Sequence, residues 1–129
     1  MILDTFFRGR VLRDTPPAMA LTSKRLEFLQ KLTSSGSRDP FAWYGLAMEY
    51  RGLERWEEAL ATFETLRETS PDYVAMYLMC GQMLEQMGRL DEARAWLASG
   101  VEQARKKGDT HALGELEGVL GGLALGGLA

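Results

Sequence analysis

Residues 56–63 read Trp56-Glu57-Glu58-Ala59-Leu60-Ala61-Thr62-Phe63, and residues 90–97 read Leu90-Asp91-Glu92-Ala93-Arg94-Ala95-Trp96-Leu97. The two octets match in chemical class at most positions and lie 34 residues apart. The same offset pairs Trp43 with Tyr77, Leu46 with Cys80, Ala47 with Gly81 and Tyr50 with Leu84. Physically similar pairs recurring at one fixed offset are the mark of an internal repeat. Within the first copy, Trp43, Leu46, Ala47 and Tyr50 fall at i, i+3, i+4 and i+7, one face of a helix over 40–52. Gly52 stands at its exit, where a glycine tolerates a left-handed C-cap. Ala59, Phe63 and Leu66 share a face of the next helix, and Ala47 against Ala59 permits close approach, as Gly81 against Ala93 does 34 residues on.

The composition agrees with an all-helical chain. Leu and Ala number 34 of the 129 residues, whereas Ile and Val number 5. Leu and Ala lose little rotamer freedom in a helix, while β-branched residues favour strands. One cysteine excludes an internal disulfide framework, and one histidine with one cysteine excludes a zinc-finger ligand set. The net charge of −3 divides unevenly, +3 over residues 1–39 and −6 over residues 40–129. The acidic part lacks the basic stripe interleaved with aromatics that nucleic-acid binding needs, so no nucleic-acid partner is expected. No run of about twenty apolar residues is present, so no membrane partner is expected and a cytoplasmic location is the default.

The pattern Trp43-x2-Leu46-Ala47-x2-Tyr50, then Ala59-x3-Phe63, then Pro71 resembles the tetratricopeptide repeat (TPR) family over residues 40–73. A second copy, 74–107, keeps Tyr77, Gly81, Leu84, Ala93 and Leu97. It departs at its end, with Gly100 for the usual alanine and Arg105 where Pro71 stands in the first copy. The missing proline predicts a longer second helix, reaching Lys107 before Gly108. The resemblance implies an all-α stack of α-α hairpins, a right-handed helical solenoid of about six helices. These are expected at 23–34, 40–52, 54–69, 73–87, 90–107 and 110–122. Residues 1–18 form an arm set apart by Pro16-Pro17, and 19–129 a single domain. Residues 23–34 read as a lone second helix whose Leu26, Leu29 and Leu32 form an apolar stripe. Residues 110–122 read as a cap helix started by Asp109, and 123–129 as a glycine-rich, fraying tail.

The resemblance further implies a protein-binding module with no catalysis, cofactor or metal. Its first helices would line a concave groove presenting Phe41, Tyr44, Met48 and Arg51, then Leu78, Gln82 and Glu85, with another protein's peptide or amphipathic helix as ligand. The chain has no asparagine, and its lysines (Lys24, Lys31, Lys106, Lys107) lie off the two full-repeat first helices. Capture of an acidic chain terminus by a Lys/Asn clamp is therefore not expected. Cys80 and His111 are the residue types of a nucleophile and its base, yet Cys80 occupies a core position of the repeat and no third group orients the histidine. Asp109, His111 and Glu115 are too few and too linear to close a metal site. A second functional reading stays open, in which Ile2, Phe6 and Phe7 pair with another chain and the protein self-associates as a homo-oligomer.

Overall fold

The computed structural model describes residues 22–128, which form six helices: α1 (Lys24–Ser34), α2 (Pro40–Gly52), α3 (Trp56–Thr69), α4 (Ala75–Gln86), α5 (Leu90–Lys107) and α6 (Thr110–Leu128). No strand occurs among the described residues. The arm at 1–18 lies outside them. Helices adjacent in sequence pack as antiparallel neighbours, and α2, α4 and α6 also touch one another in series. The architecture is therefore a stack: hairpin α2–α3, hairpin α4–α5, with α1 on one end and α6 on the other.

Local chemistry sets the helix starts. The Ser23 hydroxyl accepts from the Leu26 amide at 2.9 Å, and an Asp39 carboxylate oxygen accepts from Phe41 N at 3.0 Å ahead of Pro40. Asp109 does the same for Ala112 N at 3.0 Å. At the far end of α5, Gly108 takes φ +70°, a left-handed C-cap that closes the long second helix at Lys107.

The core is a seam running between helices. Ala47, Ala59, Phe63, Leu66, Leu84, Ala93 and Leu97 are fully buried, and Leu46, Tyr50, Tyr77 and Gly81 nearly so. Gly81 is needed for closeness, because a Cβ there would sit 2.6 Å from Leu97 Cδ2. Gly100 is tighter, since a Cβ would meet Tyr77 Cβ at 2.5 Å and Leu116 Cδ2 at 2.9 Å. The departure from alanine at position 100 is thus the room through which α6 and Tyr77 close on α5.

Five expectations are corrected. Leu32 is exposed, and the stripe burying α1 is Leu26, Leu29 and Thr33, a spacing of i, i+3, i+7. Gly52 ends α2 without a left-handed turn; the left-handed residue is Glu54, at φ 60°. Pro71 is an exposed turn residue outside the core, and Trp43 is only half-buried. Both act at the turn instead: Trp43 Nε1 donates to the Ser37 carbonyl at 2.9 Å, and Tyr77 Oη donates to the Pro71 carbonyl. Finally, α6 continues through Leu128 where a frayed tail was expected from 123. Leu116 and Leu123 are buried and Leu120 half-buried, so an apolar stripe against α5 outweighs the cost of about 1 kcal/mol per interior glycine.

Candidate binding groove

The first helices α2, α4 and α6 lie side by side and offer one continuous surface. The 34-residue offset explains what each contributes, because Tyr44, Leu78 and Ala112 are equivalent, as are Met48, Gln82 and Leu116. Sequence reasoning took α6 only as a cap and so missed its share. Carrying the same offset one step further would have found Ala112 and Leu116.

The structure places the seven expected groove residues in different surroundings, not all of them on this surface. Tyr44 lies at the α2–α4 junction, its ring 5.2 Å from that of Tyr73 and tilted at 45°. Burial raises the Tyr44 phenol above its ordinary value and the neighbouring Tyr73 adds to this, while Arg51 pulls the other way. Both effects that raise it keep the hydroxyl neutral near pH 7. Arg51 reaches across from α2 to α4, where its Nη1 donates to the Met79 thioether sulfur at 3.2 Å. Among the described residues it makes no ion pair. Met48 and Arg51 line a cleft of about 280 Å³ together with Trp56 and Gln86.

Leu78 and Met79 face α6 across a second cleft, of about 310 Å³, closed by Ala112 and Leu116 with His111 and Glu115 on its rim. Gln82 is half-buried and Glu85 exposed, and neither lines that cleft. Phe41 stands apart from the others: it lines a different cleft, between α1 and α2, beside Phe28 and Leu32. Tyr73, Met79, Ala112 and Leu116 lie along the same surface and are not among the seven residues expected from the sequence.

Nothing in this surface assembles a nucleophile with a base. Cys80 is sealed in the core of α4, where burial pushes its thiol well above the ordinary range and so keeps it protonated. His111 stands in solvent with its Nε2 3.5 Å from a Glu115 carboxylate oxygen. Among the described residues no three His, Cys, Asp or Glu side chains cluster to hold a metal ion, and no helix is long and apolar enough to cross a membrane.

Stacked antiparallel helix pairs with small residues at the crossings and an exposed series of first helices define a helical-hairpin repeat protein. Comparison with known proteins then gives the family. The tetratricopeptide repeat family profile matches residues 50–114, and the chain belongs to that family. A crystal structure of a tetratricopeptide repeat domain protein from Salinibacter ruber is 40% identical, covering 67% of this chain and 96% of that one, with a TM-score of 0.63. A solution structure of a Salinibacter ruber tetratricopeptide repeat domain protein is likewise 40% identical, covering 66% and 86%, with a TM-score of 0.63. A Bordetella parapertussis protein, 24% identical over 80% of this chain and 90% of its own, shares the fold with a TM-score of 0.69. No curated protein sequence matches the chain. Tetratricopeptide repeat domains are in general protein–protein interaction modules and not typically enzymes.

Proposed function

We propose that this chain binds a peptide or amphipathic helix of another protein along α2, α4 and α6. The observation that supports this is the junction at Tyr44, Arg51 and Met79. There, two adjacent first helices hold half-buried aromatic and thioether surface around a guanidinium that has no carboxylate partner among the described residues. Half-buried apolar side chains gain from being covered, at about 25 cal/mol per Å² of apolar area removed from water. A guanidinium on a methionine sulfur gains more from a carboxylate, which it can hold through two parallel hydrogen bonds. The ligand that fits is therefore apolar along most of its contact face, with one Asp or Glu placed to reach Arg51. The flanking clefts, at Met48–Gln86 and at Leu78–Leu116, accept its larger side chains.

The test uses a phage-displayed library of random sixteen-residue peptides selected on the full chain. Peptides enriched on the wild type should carry apolar residues at helical spacing and one acidic residue. Tyr44→Glu combined with Met48→Glu places unpaired carboxylates where the apolar face must desolvate, and should weaken the selected peptides more than about tenfold. Far-UV circular dichroism of that variant should match the wild type, since both side chains are only half-buried. Selected peptides that bind the double variant with unchanged affinity overturn the assignment and put the ligand elsewhere on the stack.

A further inference from the structure

Four large apolar side chains are exposed among the described residues, Phe28, Leu32, Phe41 and Leu90, and three of them line one cleft of about 290 Å³ between α1 and α2. The repeat itself shows why that clustering is unusual. Position 28 in α1 is equivalent to Thr62 in α3 and Trp96 in α5, and position 32 to Leu66 and Gly100. Phe28 is 64% exposed, against 7% for Thr62 and 5% for Trp96; Leu32 is 36% exposed, against 0% for Leu66. In α5 the covering element is on view: Trp96 packs against the Tyr77 ring at 5.9 Å, and Gly100 lies against the Tyr77 Cβ. Tyr77 belongs to α4, the first helix of the same hairpin. Among the described helices, α1 packs on α2 alone, so the face that α4 covers on α5 has no helix over it on α1.

At the repeat's register the sequence before α1 keeps only the leucine of the first-helix signature, as Leu12. Counting 34 back from Trp43, Ala47 and Tyr50 gives Gly9, Arg13 and Pro16. The aromatic, the small residue and the helix-compatible residue of the signature are all replaced by types that do not serve. A second α1 does serve, being short, apolar at Phe28 and Leu32, and charged at its margins.

We propose that this face is an interface between two copies of the chain, related by a two-fold axis, with the α1 helices packed antiparallel over the Phe28–Leu32–Phe41 cleft. Charge at the ends of the cleft supports this orientation. Arg25 marks one end, where it pairs with Glu49 at 3.2 Å near the close of α2, and Asp39 marks the other, at the start of α2. The ten-residue helical path from Asp39 to Glu49 separates those ends by about 15 Å. Antiparallel packing about a two-fold axis carries each Arg25 towards the partner's Asp39, twice by symmetry. One Asp39 oxygen caps α2, which leaves the other to accept that contact. Two such faces bury on the order of 1,000 Å² in total, the size of a weak, specific contact, so the dimer should dissociate in the micromolar range.

Sedimentation equilibrium of the full chain from about 1 µM to 1 mM tests this, a span that brackets such an affinity. The expected result is a monomer–dimer equilibrium. Phe28→Glu with Leu32→Glu should raise the dimer Kd more than about a hundredfold, because each carboxylate would have to be desolvated without a partner. Its helicity should be retained, and so should its thermal melt at a concentration where the wild type is monomeric, since both side chains are exposed in the monomer. Asp39→Asn keeps a good N-cap and removes only the charge, so it should raise Kd about threefold and flatten the salt dependence. A full chain that stays monomeric to the top of the range overturns the proposal, whether residues 1–21 or another protein covers the cleft. A dimer with unchanged Kd in the Phe28/Leu32 variant overturns it equally. A dimer indifferent to Asp39→Asn overturns the antiparallel two-fold arrangement.

Discussion

The hairpin α2–α3 and the hairpin α4–α5 carry out the same local tasks with different residues. In each, an aromatic of the first helix donates to the carbonyl six residues earlier: Trp43 to Ser37, Tyr77 to Pro71. In each, an arginine just before the second helix pairs with a glutamate three residues on, Arg55 with Glu58 at 2.7 Å and Arg89 with Glu92 at 2.6 Å. The interior is where they part. Where α3 has Thr62 and Leu66, α5 has Trp96 and Gly100, so bulk has moved from one position to its neighbour one turn away. The lesson is that the repeat conserves turn geometry and total packing volume while individual core residues exchange size.

The largest expected effect breaks that exchange. Trp96 touches rings on both hairpins, Phe63 at 6.5 Å and Tyr77 at 5.9 Å, and Arg67 lies 4.2 Å over its face. Trp96→Ala should cost about 3–5 kcal/mol, because the cavity opens between two hairpins and neither can collapse into it alone. Its counterpart Thr62 bonds its own helix at the Glu58 carbonyl, 2.7 Å away, so that bond leaves with the side chain. Thr62→Ala should cost about 1 kcal/mol or less. Urea denaturation at one fixed protein concentration measures both. Equal losses would mean that the two hairpins carry the stack equally at this position and that the apparent transfer of bulk is immaterial.

The parts of the fold that were legible in sequence are those governed by the shared tasks. Proline after an N-cap aspartate, glycine after Lys107, and apolar positions at helical spacing each specify a local geometry that tertiary context does not override here. Legibility failed where the outcome depends on a neighbour. Leu32 satisfies the helical stripe yet is exposed, because what decides its burial is a helix over α1. The glycines of α6 disfavour a helix one at a time, and only the α5 surface under Leu116 and Leu123 outweighs that local preference. For the groove, the first-helix face was legible from the offset. Grouping Phe41 with Tyr44 was not, since α1 claims Phe41 for another cleft.

A smaller effect comes from the turn between the helices of each hairpin. Glu54 and Gly88 are equivalent by the 34-residue offset, and both take left-handed backbone, φ 60° and φ 81°. A side chain in that region costs roughly 1–2 kcal/mol, while a glycine there costs more entropy on folding, by about 0.5–1 kcal/mol. Glu54→Gly should therefore stabilise by about 0.5 kcal/mol, whereas Gly88→Ala should destabilise by about 1 kcal/mol. Thermal melts of the two variants should move in opposite directions. A shift of the same sign in both would show that the hairpins differ in turn strain despite their matched angles.

The smallest effect concerns the arginine of the second hairpin. Arg89 also reaches back to Glu57 of the preceding hairpin at 3.0 Å, and Arg55 lies 5.0 Å over the Tyr50 ring of its own. The hydrogen bond from Arg89 holds the Glu92 carboxyl below its ordinary value, with the positive charge adding to this and partial desolvation opposing it. A depressed folded-state value means that the contribution to stability is present above the unfolded glutamate value, about pH 4.3, and is lost as pH falls through the folded value below it. Arg89→Gln should remove that contribution, so neutral-pH stability falls slightly, by the same small amount that the wild type loses on acidification, because the pairs are exposed and screened by salt. Stability profiles of wild type and variant, recorded from neutral pH downwards at low salt, should therefore differ most near neutral pH and converge as pH falls through the folded Glu92 value. Profiles that stay parallel throughout would mean that the link between the hairpins is made by their apolar seam, with no measurable share from Arg89.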